Sequence, residues 1–123
     1  MDDNRIWEFE RELWLGGAEV YRTKVSQDVV MALPEQPFLF DAEAAIAAVT
    51  NTPRWDTVDF TETRVHRPQE GLIVIAYRVT ASRGEQSYRA ACTSTLRWLS
   101  HEHWDVVQHS QLPFGVMVAD PDA

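Results

Sequence analysis

The stretch Tyr88–Trp98, YRAACTSTLRW, decides the fold, and the two-residue period of a β-strand divides it into two faces. One face is apolar apart from a single hydroxyl group and carries Tyr88, Ala90, Cys92, Ser94, Leu96 and Trp98. The opposite face is mainly polar and carries Arg89, Ala91, Thr93, Thr95 and Arg97. The pattern therefore predicts a strand whose first face, with Tyr88 and Ser94, is turned towards a core.

The middle of the apolar face is formed by two small side chains, Ala90 and Cys92, and larger side chains stand on both sides of them. This size pattern predicts an open space above the sheet, provided that another element arches over the strand. The alternative is that a core side chain fills the space, because protein interiors are close-packed. Both interpretations predict a strand that underlies a covering layer.

Composition limits the class of protein. A chain of 123 residues suits one domain, here residues 1–123, and 45% hydrophobic with 24% charged residues is typical of a globular protein. The net charge of −8, with 11 basic and 19 acidic residues, argues against binding to nucleic acid or to an anionic membrane surface. We therefore expect neither partner.

Cys92 is the only cysteine, which excludes an internal disulfide and a zinc site built from several cysteines. No apolar run approaches the ~18 residues of a membrane span, and the acidic start MDDNR does not resemble a signal peptide. These features predict a cytoplasmic protein.

Three helices are predicted before the main strands. An apolar stripe of Ile6, Phe9 and Leu13 follows the capping residues at the N-terminus and predicts a helix that ends at Gly16–Gly17. A second short helix is predicted from Ala18 to Val25, and a third over residues 42–49 behind the N-cap Asp41.

The strand predictions follow from alternation and from turn residues. A short strand is predicted over residues 28–33, before the loop 34–37, and longer strands over 55–67, 72–81, 88–98 and 104–111. The order of elements predicts an α+β fold, in which the helices gather on one face of a curved antiparallel sheet.

Four segments carry a resemblance to a known family: LWLGGAEVY (13–21), DVVMALPEQPFLFDAEAAIAAV (28–49), YRAACTSTLRW (88–98) and WDVVQHSQLP (104–113). With the order of elements, they resemble the nuclear transport factor 2-like superfamily, which includes SnoaL-like polyketide cyclases and ketosteroid isomerases. They are most similar to a branch known only as a domain of unknown function. The resemblance implies a cone-shaped α+β barrel, with three N-terminal helices over the concave face of the sheet, a pocket between them, and a homodimer formed through the outer sheet face.

The chemistry of the steroid isomerases is not implied. Their carboxylate base precedes a proline in the first strand, where this chain has Leu33 before Pro34. Their tyrosine and protonated aspartate donors would fall near Phe9 and Ser94. We therefore expect no steroid isomerisation, since that reaction needs a base and two donors aimed at one oxygen, whereas a different reaction in the same pocket stays open.

His109 on the last strand is a candidate general acid or base, because its side chain titrates near neutrality. The alternative is a histidine on the dimer-facing surface, in which case Gln108 and Ser110 face the pocket. Asp28 is either a carboxylate at the pocket mouth or a residue of the turn that starts a strand.

The triplet His101-Glu102-His103 has a spacing that could hold a metal ion, but it falls in an expected hairpin turn without a third-ligand signal. We therefore predict no metal and no cofactor. Cys92 is interpreted as a small buried side chain rather than a nucleophile.

The residues predicted to line the pocket are Trp14, Tyr21, Met31, Leu33, Trp55, Tyr88, Cys92, Ser94 and His109. Two classes of function follow. The first is a protein that binds a small, largely apolar molecule, with Tyr88, Ser94 and His109 as polar contacts. The second is a module that forms dimers, and a sealed cavity smaller than the ~300 Å³ typical of ligand sites would favour it.

Overall fold

The computed structural model describes residues 1–115. Its helices are α1 (Asp3–Leu15), α2 (Ala18–Lys24) and α3 (Ala42–Asn51). Its strands are β1 (Val25–Ala32), β2 (Leu39–Phe40), β3 (Thr57–Gln69), β4 (Leu72–Arg83), β5 (Gln86–Ser100) and β6 (His103–Pro113).

The strands form one open, six-stranded sheet in the order β2-β1-β6-β5-β4-β3. All neighbours are antiparallel except β1 and β6, which run parallel. Between β2 and β3, α3 connects the two opposite edges of the sheet. The helices pack on the inner face. The predicted α+β class, with three helices over a curved sheet, is confirmed, although the sheet is mixed rather than wholly antiparallel.

The first helix forms where its stripe and cap predict. The Asp2 carboxylate accepts a hydrogen bond from the backbone N–H of Arg5 at 2.9 Å, which satisfies a free donor at the start of α1. Gly16 follows α1 because a Cβ at this position would lie 2.7 Å from the carbonyl oxygen of Glu12. The chain can therefore turn tightly from α1 into α2.

The boundaries around the second helix differ from the prediction. Helix α2 ends at Lys24, and β1 begins at Val25 rather than at Asp28. Val25 has an extended backbone and pairs with Val106 of β6, so pairing with the sheet ends the helix. The short strand β2 was not predicted, and it exists only through its pairing with Met31 and Ala32 of β1.

The apolar strand β4 alternates between the two sheet faces. Its inner residues are buried in the core and are Ile73, Ile75, Tyr77, Val79 and Ala81. Its outer residues Leu72, Val74 and Ala76 are half-buried, and Arg78 and Thr80 are exposed. In residues 1–115 no helix is both long and apolar enough to cross a membrane.

Strand β5 has the predicted orientation over most of its length. Ala90, Cys92, Ser94 and Leu96 are buried on the inner face. Trp98 differs, because 47% of its surface is exposed and its indole N–H donates to the carbonyl oxygen of His101 at 2.6 Å. The strand end is thus tied to its hairpin turn rather than to the core.

Candidate functional site

A cavity of about 300 Å³ lies between the inner face of the sheet and the three helices. Its walls are mostly apolar and include Leu13, Trp14, Tyr21, Met31, Leu33, Ala45, Ala48, Val49, Trp55, Tyr88 and Val106. The polar side chains on it are Glu35, Thr52, Arg54, Arg83, His109 and Gln111. This combination of an apolar body and a few polar groups is typical of small-molecule sites.

The structure places most of the predicted pocket residues together on this cavity. They are Trp14, Tyr21, Met31, Leu33, Trp55, Tyr88 and His109. Cys92 and Ser94 are not among the lining residues, and their exposures are 3% and 0%. The space predicted above Ala90 and Cys92 is therefore not the cavity.

The side chain of Trp14 packs on the inner face of this part of the sheet. Its indole N–H donates to the hydroxyl oxygen of Tyr77 at 2.9 Å, and its ring contacts Tyr88 and His109 at centroid distances of 6.2 and 6.1 Å. Tyr77 is the cross-strand partner of Cys92, and Tyr88 and His109 also face inwards. The indole thus lies on the inner sheet face next to Tyr77, and the cavity beside it extends to Ala45, Ala48 and Val49 of α3.

Aromatic rings and a guanidinium form a stack at one wall of the cavity. The rings of Trp55 and Tyr88 lie 5.8 Å apart with an interplanar angle of 12°, and the Arg83 guanidinium carbon lies 4.5 Å from the Trp55 ring centroid. Arg83 is held in place by Gln86, whose Oε1 accepts from its Nε at 3.0 Å. The stack gives the cavity a flat, rigid aromatic wall.

Arg54 fixes the end of α1 beside the cavity. Its Nη2 donates to the carbonyl oxygens of Leu13 and Trp14 at 2.7 and 2.9 Å, and its Nε donates to that of Gly16 at 2.7 Å. These carbonyls have no partner within the helix, and the positive charge is favourable at a helix C-terminus. Arg54 therefore holds the segment that carries Trp14.

Beneath the cavity lies a buried polar network centred on Glu10 of α1, whose exposure is 0%. The Glu10 Oε2 atom accepts hydrogen bonds from the hydroxyl groups of Tyr77 at 2.5 Å and Ser94 at 2.6 Å. The Nδ1 atom of His109 lies 2.8 Å from Ser94 Oγ and 3.7 Å from Glu10 Oε2. The network therefore connects a carboxylate in the core with an imidazole on the cavity.

The network continues to the cavity surface through Gln111. Its Nε2 lies 3.1 Å from Nε2 of His109, and its Oε1 accepts from the hydroxyl group of Tyr88 at 2.9 Å. His109, Gln111 and Tyr88 thus form the polar end of an otherwise apolar wall.

Burial shifts the titration of both ionisable groups towards their neutral forms. It raises the pKa of Glu10 above its usual range, although the hydrogen bonds from Ser94 and Tyr77 act in the opposite direction. Burial likewise lowers the pKa of His109 to about 4. His109 is therefore neutral at pH 7, and its imidazole can accept a proton or a hydrogen bond.

Glu10 was not among the predicted site residues, although the sequence carries a signal for it. Glu10 lies four positions after Ile6 and three before Leu13, so it stands on the apolar stripe of α1. A carboxylate on such a stripe is unusual, because burial of a charge is unfavourable unless partners accompany it. Its partners come from β4 and β5, which no local pattern on α1 identifies.

The structure decides between the alternatives on the last strand. His109 lies on the inner face, whereas Gln108 and Ser110 form an outer-face network with β5: Gln108 Oε1 accepts from the Thr95 hydroxyl at 3.0 Å, and Ser110 Oγ lies 2.6 Å from Thr93 Oγ1. His109 is therefore not on the outer sheet surface.

Two other candidates lie away from the cavity. Asp28 is exposed on β1, where its backbone N–H donates to Ser26 Oγ at 3.1 Å. The triplet His101-Glu102-His103 is exposed: His101 and Glu102 form the turn between β5 and β6, and His103 begins β6. Among residues 1–115, no group of three or more His, Cys, Asp or Glu side chains is placed to hold a metal ion.

No family model and no curated protein sequence matches the chain. Solved structures do match it. A candidate ketosteroid isomerase from Parabacteroides distasonis superposes with a TM-score of 0.76 at 16% identity, over 89% of this chain and 86% of that one.

Two further structures have the same architecture. A nuclear transport factor 2-like protein from Cytophaga hutchinsonii gives a TM-score of 0.73 at 14% identity, over 93% of this chain and 100% of that one. The association domain of the Ca/calmodulin-dependent kinase II of C. elegans gives 0.70 at 12% identity, over 89% and 90% of the two chains. The chain therefore has the nuclear transport factor 2-like fold.

Proposed function

We propose that this protein binds a small, largely apolar molecule in the cavity between the helices and the sheet. The observation that carries the proposal is the lining itself: four aromatic side chains, Trp14, Tyr21, Trp55 and Tyr88, surround a space of about 300 Å³ that ends at His109 and Gln111. Cavities that bind small molecules begin at about this volume. An apolar molecule gains free energy from removal of its surface from water, and the polar end orients it.

The proposal does not include steroid isomerisation. Leu33, Phe9 and Ser94 stand at the three positions where the resemblance would place the base and the two donors, and none of them supplies a carboxylic acid or a phenol. The solved structure of a candidate ketosteroid isomerase carries no argument for that reaction here, because its identity of 16% concerns the fold alone.

The test is a cavity-filling substitution on α3. Ala48 lines the cavity, whereas Ala47 on the same helix is exposed to solvent. Naphthalene derivatives are titrated by calorimetry into the parent protein, Ala48→Phe and the matched control Ala47→Phe. We expect binding to the parent and to the control, and loss of binding in Ala48→Phe.

The midpoint of urea unfolding is measured for the same three proteins, because an added phenyl ring destabilises a filled core more than a core that contains an empty cavity. Insertion of a phenyl ring into a filled core costs ~1–3 kcal/mol, and its insertion into an empty cavity costs less. A large destabilisation of Ala48→Phe, together with no binding to the parent, would contradict the proposal.

A second candidate function is self-association through the outer sheet face to form a homodimer. Leu72, Val74, Ala76 and Ala91 lie half-buried on this face, and larger apolar side chains, Val30 and Leu112, are 63% and 57% exposed on it. An apolar sheet face of this kind favours a covering partner, and a second copy supplies a matching surface. The association domain of the worm kinase has the same fold, which supports the proposal.

A further inference from the structure

We propose that the cavity selects molecules that carry a neutral hydroxyl group, because the buried network fixes the cavity-facing nitrogen of His109 as a hydrogen-bond acceptor. This inference rests on the proposed function. His109 is the specificity-determining residue, and Glu10 and Ser94 are positioning residues that act through it.

The directions of the hydrogen bonds follow from an indole N–H that can only donate and from a carboxyl oxygen, Glu10 Oε2, that accepts. The indole of Trp14 has no acceptor, so its N–H must donate to the hydroxyl oxygen of Tyr77, and the Tyr77 hydrogen is left for Glu10 Oε2. Ser94 also donates its hydrogen to Glu10 Oε2, at 2.6 Å. The Ser94 oxygen can therefore only accept from His109.

The tautomer of His109 follows from the contact with Ser94. Since Ser94 Oγ accepts, the Nδ1 atom of His109, at 2.8 Å, must carry a hydrogen. A neutral imidazole then has a lone pair on Nε2, where the amide nitrogen of Gln111 donates at 3.1 Å. These directions require Glu10 Oε2 to carry no hydrogen, so a neutral Glu10 holds its proton on Oε1, the oxygen that has no hydrogen-bond partner among residues 1–115.

A hydroxyl group satisfies this end of the cavity completely. Its hydrogen can donate to His109 Nε2, and its oxygen can accept the Gln111 amide hydrogen that Nε2 would release. An ether oxygen can accept from Gln111 but has no hydrogen for His109, so an ether forms one hydrogen bond at this end where a hydroxyl group forms two. A carboxylate likewise has no hydrogen for His109, and it would also lose its hydration. An ammonium group would lose its hydration in an apolar cavity that also carries the positive charges of Arg54 and Arg83.

The experiment compares 2-naphthol with 2-methoxynaphthalene, in which a methyl group replaces the hydroxyl hydrogen. Dissociation constants are measured by calorimetry at pH 7, with 2-naphthoate and 2-naphthylmethylammonium as charged probes. We expect 2-naphthol to bind about tenfold more tightly than the methyl ether, the range that one additional hydrogen bond supplies. Equal affinity of the two, or tighter binding of either charged probe, would overturn the inference and leave the proposed binding function standing.

Nitrogen NMR of the histidine side chains tests the tautomer without a ligand. We expect His109 to show a protonated Nδ1 and an unprotonated Nε2, and the reverse pattern would overturn the inference. Failure of all four probes to bind would overturn both the inference and the proposed function. The ligand-free spectrum then distinguishes a correct tautomer in a non-binding cavity from an incorrect network.

Substitutions of Ser94 separate positioning from structure. Ser94→Ala removes the acceptor at Nδ1, so His109 is free to protonate Nε2, and we expect the preference for the naphthol to disappear. Ser94→Thr keeps the hydroxyl group and should keep the preference. Glu10→Gln retains an oxygen that accepts from Tyr77 and Ser94, and it should also keep the preference. An unchanged preference in a folded Ser94→Ala variant would contradict the role of Ser94.

Discussion

The Nδ1 atom of His109 lies 2.8 Å from the hydroxyl oxygen of Ser94, and the two residues are direct partners across β5 and β6. This pair connects the cavity to a fully buried carboxylate, because Ser94 also donates to Glu10. The stability of the fold and the chemistry of the cavity therefore depend on the same group of side chains.

Replacement of Glu10 should distinguish the loss of a charge from the loss of an acceptor. Glu10→Ala leaves the hydroxyl groups of Tyr77 and Ser94 without their shared acceptor and creates a void, so we expect a loss of ~2–5 kcal/mol in the free energy of unfolding. Glu10→Gln keeps an oxygen that can accept from Tyr77 and Ser94 and leaves no void, so it should be much closer to the parent. Urea unfolding at pH 7 provides the comparison.

The control for this pair is Glu8→Ala, which removes an exposed carboxylate from the same helix. We expect it to change the free energy of unfolding by no more than about 0.5 kcal/mol. An equally small effect of Glu10→Ala would show that the buried network contributes little to stability.

The low pKa of His109 predicts a dependence of stability on pH. Because the pKa is about 4 in the folded chain and about 6.5 in the unfolded chain, the unfolded state binds more protons between these values. The contribution of His109 is fully present above pH 6.5 and is lost as the pH falls towards 4. The expected loss is about 3 kcal/mol.

Glu10 acts in the opposite direction, since its raised pKa makes the folded state bind a proton more strongly. Its contribution is present below the unfolded value of 4.5 and is lost as the pH rises through its folded pKa. The other groups that face His109 are Trp14, Ser94 and Gln111, which stay neutral in this range. The free energy of unfolding is therefore measured from pH 7.5 to 4.5 in Glu10→Gln and in the double variant Glu10→Gln/His109→Gln. If the two free energies changed with pH in parallel, the predicted contribution of His109 would be contradicted.

Removal of Arg54 should loosen the end of α1. Arg54→Ala deletes three hydrogen bonds to the carbonyls of Leu13, Trp14 and Gly16, and we expect a loss of about 1–3 kcal/mol in the free energy of unfolding. Arg22→Ala, which removes an exposed arginine from α2, is the matched control and should have little effect. Similar unfolding midpoints for the two variants would show that the contacts of Arg54 are not stabilising.

A charge on the outer sheet face should dissociate the proposed homodimer. Val74 lies on this face between His66 of β3 and Thr95 of β5, and Val74→Glu would place two carboxylates in an apolar interface. Light scattering at micromolar concentration should show a dimer for the parent and for Ala47→Glu on the exposed face of α3, and a monomer for Val74→Glu. A specific interface would bury on the order of 1,200–2,000 Å² in total. A monomeric parent protein would contradict the proposal.

Local patterns determined most of the framework. The alternation in Tyr88–Trp98, the stripe on α1 and the turn residues between the strands each reflect the geometry of a single element. The sequence alone therefore predicts every element except β2, their order and the α+β class. The inward orientation of Tyr88 and Ser94 follows from the same alternation, as their contacts with Trp14 and Glu10 show.

The face occupied by His109 could be decided only by the tertiary structure. A register shift between β5 and β6 separates the pairs Thr95–Gln108 and Leu96–Val106, so Val106 and His109 both face inwards although their spacing is odd. Beyond such a bulge, the residues that would face inwards by simple alternation face outwards, and the reverse. The position of the bulge depends on the partner strand rather than on the local sequence.

The cavity and the Glu10 network were likewise decided by packing between distant elements. The small side chains Ala90 and Cys92 are buried, Trp14 packs on the same sheet face against Tyr77, and the cavity lies beside Trp14 towards α3. Glu10 lies 67 positions from Tyr77 and 84 from Ser94, so its partners meet only when α1 packs on the sheet. The sequence by itself determined the three helices and the five long strands. Packing determined where the space remains and which polar groups face it, because volume and hydrogen bonding in a core depend on side chains that are close in space and distant in the chain.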